Sequence, residues 1–464
     1  MKDAEGGTAG ATDKDASGKT TMPNMGIRRS TTTADVVVNA GKTDEVPPSR
    51  KRAIETASAD PGRLRTIAVK KGLEGLSLRR KNGGIPGSPS SADAARRATP
   101  PHHWLDAIDA FAEQMDNLWR FIVKERTTAV SIAVDEVIRA RGAIGPAERA
   151  EIEAAKGPPA DIIVAVIDDG VDTTVGQLSG RVLTGRTFSY DEQSDRVRPW
   201  YVSEKNHGTI MASMVVRVCR NVKIYPIRLA TTRSGAIDSM SAAQAIDAAV
   251  DRGADIISMS WTVSPPPQPE VKQAFDAALQ RAIDKNVLMF CSAKDSGHVT
   301  DQYYPAGYRP DSVIKVGAAS PAGLPYDLAG SLDRLDFIFP GVEVVQQHGE
   351  GPAGIADLKQ TGSSVATALG AGLAAMVMYC ARVAQITGGV LTAADFEKLR
   401  QRNTMMDAIA RFGRSSSPQS EGKFIEVWNR LEGRTRLLQR EGSKSAKGRE
   451  SIAQLARDLV NTST

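Results

Sequence analysis

A doubly wound α/β fold, a parallel sheet with helices on both faces, is the architecture that the central region of this 464-residue chain predicts. Three observations predict it. Five short runs are apolar without alternation, as strands buried on both faces must be. They are Ile162–Ile167 (IIVAVI), Val222–Ala230, Asp255–Trp261, Asn286–Ala293 and Ser312–Ala319. Helical patterns separate them, for example at Ser239–Gly253 and Glu270–Asn286, and strands alternating with helices build parallel sheets. Polar residues follow directly on some of the runs, at the carboxyl ends where sites form in such sheets.

The flanks have a different character. Residues 1–101 are rich in Gly, Ser, Thr, Ala and charge, with almost no aromatics. Such a stretch buries too little apolar surface to offset chain entropy, so it reads as a disordered, low-complexity arm. Residues 102–157 read as a helical linker or regulatory segment. WLDAIDAFAEQMDNLWRFIVKE has apolar residues three and four apart, AVDEVIRA follows as a second stretch, and GPAERAEIEAAKGPP holds a short polar helix before a Gly-Pro-Pro break. The sheet domain spans 158–392. Residues 393–464 form a C-terminal helical extension with patterns in TAADFEKLRQR and FIEVWNRLEGRTRLLQRE. The second of these is basic and amphipathic, and docking on the central domain is expected of it rather than membrane contact.

Composition narrows the function classes. Hydrophobic residues make up 41% and charged residues 24%, which is globular usage. The formal net charge is only +5, with much of the basic excess in the arm, so no nucleic-acid partner is expected. No apolar run of about 18 residues is evident, so no membrane span is expected. The N-terminal residues have no apolar core and do not read as a secretory signal. Three cysteines, Cys219, Cys291 and Cys380, argue against a disulfide framework and for a reducing, cytoplasmic setting. The basic cluster PPSRKRA (Pro47–Ala53) leaves the nucleus as an alternative. No Walker-type phosphate loop, zinc-spaced Cys/His cluster or calcium loop is recognisable, so no metal and no cofactor are expected.

Three motifs carry candidate chemistry. VIDDG (Val166–Gly170) puts two carboxylates at the end of the first strand; a turn that closes the strand is the plain alternative. NHGTIMASMVVRV (Asn206–Val218) opens on His207. Of five histidines, His102 and His103 sit in the helical segment, His298 in a loop and His348 in QQHGEG, so His207 alone heads a buried helix. A structural histidine is its alternative reading. TGSSVATALGAGLAA (Thr361–Ala375) places Ser363 and Ser364 before a run of very small residues. A helix start offers free N–H groups and a positive dipole end, suited to a developing oxyanion; a serine N-cap on a core helix is the alternative.

Together, the order Asp, His, Ser and the motifs VAVIDDGVD, HGTIMASMV and GSSVATALGAG resemble the subtilisin-like serine peptidases, the subtilase or S8 family, over roughly Asp161–Thr392. FCSAKDSGHVTDQYYPAG looks more narrowly like intracellular subtilase-domain proteins of filamentous fungi. The resemblance implies a subtilisin-like fold and hydrolysis of peptide or protein substrates by a serine endopeptidase. The family pattern of Gly, Thr or Ser, nucleophile, any residue, Ala selects Ser364 over Ser363. It likewise selects Asp168 over Asp169, with His207 as general base and an acyl-enzyme intermediate. In the oxyanion hole it implies the backbone N–H of Ser364 and, where the family commonly has asparagine, Asp295. An extended peptide would add along Ser260, Trp261 and Thr262, with Lys294 near the pocket for the residue before the cleaved bond. Ala368 replaces the usual proline after the nucleophile, and Met211 a small branched residue. Because a carboxylate repels an oxyanion, a catalytically weak binding module or an intracellular regulatory effector stands as the alternative function. The terminal extensions are candidate surfaces for protein partners, and the helices at Trp104–Ala155 candidates for an inhibitory segment.

Overall fold

The computed structural model describes residues 102–191, 195–297, 303–345, 359–389 and 391–460. The N-terminal arm, the basic cluster Pro47–Ala53, His298 and His348 lie outside the described residues.

The strands in chain order are β1 (Ile163–Asp168), β2 (Arg186–Thr187), β3 (Tyr190–Asp191), β4 (Arg196–Val197), β5 (Lys223–Arg228), β6 (Ile256–Met259), β7 (Leu288–Ser292), β8 (Ile314–Ala319), β9 (Phe337–Pro340), β10 (Val344–Val345) and β11 (Lys359–Gln360). Seven of them make a parallel sheet in the order β2-β5-β1-β6-β7-β8-β9. The five expected strands are all present; β2 and β9 are additions, too short to announce themselves in the sequence.

Helices cover both faces, which is why the strands lack alternation. On one face Val164, Val166, Ile256, Phe290 and Val316 join one core. Their neighbours Ala165, Ile167, Ile257, Met289 and Cys291 join another on the opposite face. The helices are α1 (His103–Arg141), α2 (Pro146–Lys156), α3 (His207–Val218), α4 (Ser239–Asp251), α5 (Pro269–Asp284), α6 (Ser363–Ile386), α7 (Ala393–Leu399), α8 (Arg402–Ala410), α9 (Trp428–Glu441) and α10 (Ala446–Val460). α4 and α5 pack on the second core, while α1, α3, α6 and the C-terminal helices share the first. Since β5 and β6 lie on opposite sides of β1, the strand order turns back at β1, the position at whose carboxyl end sites form in sheets of this kind.

Two expectations change. The first two helical stretches of 102–157 merge into one 39-residue helix, because no Gly or Pro interrupts Trp104–Arg141, while the third stays separate as α2. Also, α6 is long and apolar enough by length and composition to cross a membrane, although no such run was expected. Its composition is explained by the core instead: 94% of its apolar window is buried.

Candidate active site

Asp168 is the last residue of β1 and is buried. His207 is the first residue of α3. Its Nδ1 lies 2.9 Å from both carboxylate oxygens of Asp168. Glycines allow this approach. Gly170 has φ +105, and a Cβ there would stand 2.3 Å from the Val202 carbonyl oxygen. A Cβ on Gly208 would stand 2.1 Å from the Gly170 carbonyl oxygen. Neither position admits a side chain unless the backbone moves.

The pair is electrostatically coupled. Burial pushes the Asp168 carboxyl above the usual carboxylate range, and the His207 hydrogen bond pulls back against it. Burial also opposes charge on His207, yet the Asp168 hydrogen bond and charge outweigh burial and raise the imidazole above its ordinary value. Asp169 behaves differently. Burial opposes its charge, but hydrogen bonds from Ser203, Gly208 and Lys205 prevail and hold its carboxyl low.

Ser364 is the second residue of α6 and lies against Ser260, just beyond the carboxyl end of β6. Its Oγ donates to the Ser260 carbonyl at 3.0 Å, and the Ser260 hydroxyl donates to the Ser364 carbonyl at 3.1 Å. No hydrogen bond joins Ser364 to His207 among the described residues. The Ser364 N–H, in the first turn of α6, meets no acceptor among the described residues, as is common for the first N–H groups of a helix.

Ser363 is not the helix cap that the sequence allows. It is fully buried; its Oγ accepts from the Ala318 N–H at 3.0 Å and donates to Asp295 Oδ1 at 2.6 Å. Asp295 does the capping, through Oδ2 on the Ser363 N–H at 2.7 Å. Both Asp295 oxygens therefore act as acceptors at the start of α6, and Asp295 is not arranged as an oxyanion donor.

The expected peptide-binding segment divides. The Trp261 side chain is buried and its indole N–H donates to the Ile167 carbonyl at 2.8 Å. It braces the strand end before Asp168 and does not face a peptide. The backbone N–H groups of Trp261 and Thr262 have no partner among the described residues. Lys294 is also occupied: its ammonium donates to the Tyr303 hydroxyl and lies 3.7 Å from that ring's centroid.

Sequence reasoning passed over Asp169, Ser203 and Arg228, all of which touch the segment before His207. The second carboxylate of VIDDG and a lone arginine inside the apolar run YPIRLA were the available signals. The expected inhibitory helices contact α3 at its far end. Asp109 of α1 pairs with Arg217 through two bonds of 2.8 and 2.6 Å, about 15 Å along the helix from His207.

Comparison with known proteins gives the family. Residues 160–421, more than half of the chain, match the Subtilase family (Peptidase S8). The chain is 27% identical over 199 residues to the major intracellular serine protease of Bacillus subtilis, covering 40% of this chain and 59% of that protein. It is 29% identical over 192 residues to the intracellular serine protease of Paenibacillus polymyxa, covering 39% and 57%. With fervidolysin of Fervidobacterium pennivorans it shares 31% identity over 201 residues, covering 40% and 28%. The chain thus spans less than two thirds of each of these relatives, and none of the three is fungal. A crystal structure of a lanthipeptide protease aligns with a TM-score of 0.47 and 20% identity, covering 59% of this chain and 88% of that one. By the match over its sheet domain, the chain belongs to the Subtilase family.

Proposed function

We propose that the chain is a serine endopeptidase in which Ser364 is the nucleophile, His207 the general base and Asp168 the residue that orients and charges the imidazole. The observation that carries the reading is the Asp168–His207 pair, with both carboxylate oxygens on Nδ1, at the end of β1 and beside the strand end where Ser364 heads α6. With Nδ1 committed to Asp168, Nε2 is the nitrogen left to act as base. Rotation of Ser364 about χ1 takes its hydroxyl from the Ser260 carbonyl to Nε2. The oxygen then attacks a peptide carbonyl while His207 accepts the proton. The tetrahedral oxyanion is met by the Ser364 N–H, and His207 returns the proton to the leaving amine. Water repeats the sequence on the acyl-enzyme. The substrate is a peptide or protein segment, extended along the free backbone donors of Trp261 and Thr262. The names of the Bacillus and Paenibacillus relatives support a cytoplasmic location.

A second reading, a subtilase-fold binding module with weak catalysis, draws on Asp295. Where the resemblance implies an oxyanion donor, the chain has a carboxylate bonded to Ser363. Covalent labelling with a fluorophosphonate probe separates the two. The full chain should label, Ser364→Ala should not, and Ser363→Ala should retain labelling. Labelling lost in Ser363→Ala but kept in Ser364→Ala would assign the wrong serine. No labelling of the wild type at any pH would leave the binding module.

A further inference from the structure

His207 is delivered by Pro199–Asn206, an irregular segment with no helix or strand of its own. Asn206, just before the histidine, is left-handed with φ 60. A stretch of this kind holds a side chain in place only if something grips its backbone, and here it is gripped from two sides. At the end of β1, Asp169 Oδ1 accepts from the Ser203 hydroxyl at 2.6 Å and from the Gly208 N–H at 2.8 Å. Its Oδ2 accepts from the Lys205 N–H at 2.7 Å. At the end of β5, Arg228 Nη1 donates to the Pro199 and Val202 carbonyls at 3.2 and 2.9 Å. Its Nη2 donates to Glu204 at 2.9 Å.

The two gripping residues stand together. Asp168 and Arg228 are register partners on neighbouring strands, so Asp169 lies one residue beyond Arg228. Their contacts interleave: the guanidinium takes 199, 202 and 204, and the carboxylate takes 203, 205 and 208. The carboxylate's contacts at 205 and 208 bracket His207 itself. Both chemistries suit the task. A carboxylate accepts at both oxygens, whereas an asparagine would turn an NH₂ toward one of these donors. A guanidinium forks between separate acceptors, which an ammonium does from a single point. The Arg228 side chain is only 6% exposed, so the guanidinium itself is largely withdrawn from water, although its partner Glu204 is 52% exposed.

We infer that Asp169 and Arg228 are positioning residues that clamp Pro199–Gly208 and thereby fix the His207 imidazole against Asp168. The inference rests on the serine-endopeptidase reading for its catalytic consequence, though the clamp itself is a matter of geometry. Asp169 is not a substrate contact, because three donors of the chain already fill most of its acceptor sites. The charged groups facing His207 are Asp168 at the end of β1, Asp169 just after it, and Lys205 from the segment itself.

The test uses the full chain with Asp169→Asn, Arg228→Met and Arg228→Lys. Circular dichroism checks the fold. With a peptide substrate, Asp169→Asn and Arg228→Met should lower kcat by about 10²-fold, the loss expected from misplacing a catalytic group by about 1 Å. KM should stay near the wild-type value, and Arg228→Lys should recover part of the loss. In a Ser364→Ala background, NMR titration reads His207 without turnover. There Asp169→Asn should weaken the hydrogen-bonded Nδ1 proton signal, the fall in midpoint being expected from its lost charge alone, and Arg228→Met, whose lost positive charge by itself would not lower the midpoint, should lower it. An unchanged kcat and Nδ1 proton signal would overturn the clamp, as would a raised KM with kcat intact. If the wild type proves inactive, the endopeptidase reading fails, but the NMR arm still decides the clamp. If Arg228→Met does not fold, Asp169→Asn decides alone.

Discussion

At the level of single residues, Asp168 and His207 make opposite demands on pH for activity and for stability. A general base must be neutral, and Asp168 holds His207 charged to a higher pH than an ordinary imidazole. Activity should therefore fall as pH drops through a value above the unperturbed 6.5. Stability runs the other way. A raised histidine pKa stabilises the fold below the unfolded value, and that contribution is lost as pH rises through the folded one. In Asp168→Asn the acid limb of kcat/KM should move to lower pH and kcat should fall by about 10⁴-fold. A limb that stayed in place would show that another group raises His207. This pairing was legible only through the family resemblance, since the ends of a strand and a helix left a turn and a structural histidine open. The work of Asp169 was not, since its partners Ser203 and Lys205 lie 34 and 36 residues away in a segment without periodicity.

At the scale of one element, the start of α6 shows how a local rule is overridden by a tertiary contact. Serine before a small-residue helix suggests an N-cap. Here the cap comes from Asp295, 68 residues earlier, which frees the Ser363 hydroxyl to tie the end of β8 to the helix through the Ala318 N–H. Ser363→Ala would strand that buried N–H, at a cost of about 1–3 kcal/mol. Thermal unfolding should report a loss of that size, with fluorophosphonate labelling retained. A neutral result would mean that water replaces the hydroxyl. No residue pattern near Thr361 could have revealed this, because both partners come from the ends of other strands. α1 is a different case: its 39 residues carry no break, and the two apparent stretches differ only in how much of the helix the core covers. From Trp104 to Ile122 it is buried at helical spacing; beyond Val123 it is mostly exposed.

Across the whole molecule, one of the two cores extends past the boundaries 158–392 drawn from sequence. Trp104, Phe111, Trp119 and Ile122 of α1 share one hydrophobic cluster with α6, and so do Ile452, Leu455 and Leu459 of α10. The Trp104 indole donates to the Ile425 carbonyl at 3.0 Å, and the Trp119 ring meets Tyr379 edge-on at 4.7 Å. Sequence patterning misses this because an amphipathic helix shows that it has a buried face, not which surface covers it. α10, with Gly448 near its start, falls inside the expected helical extension, but its own pattern was not singled out. Removing α1 and α10 would expose the outer side of α6, whose small residues give little area but whose Tyr379, Leu373 and Met376 are now nearly inaccessible. Each large apolar side chain so exposed forfeits about 1.5–3 kcal/mol, and a few of them together equal the whole stability of a typical domain. We therefore propose that residues 102–460 unfold as one unit. The 158–392 fragment should be insoluble or bind a hydrophobic dye, whereas 102–464 should melt in a single calorimetric transition and resist trypsin from His102 onward. A soluble 158–392 fragment with native near-ultraviolet dichroism, or two separable transitions in the longer chain, would show that the helical flanks are dispensable to the core.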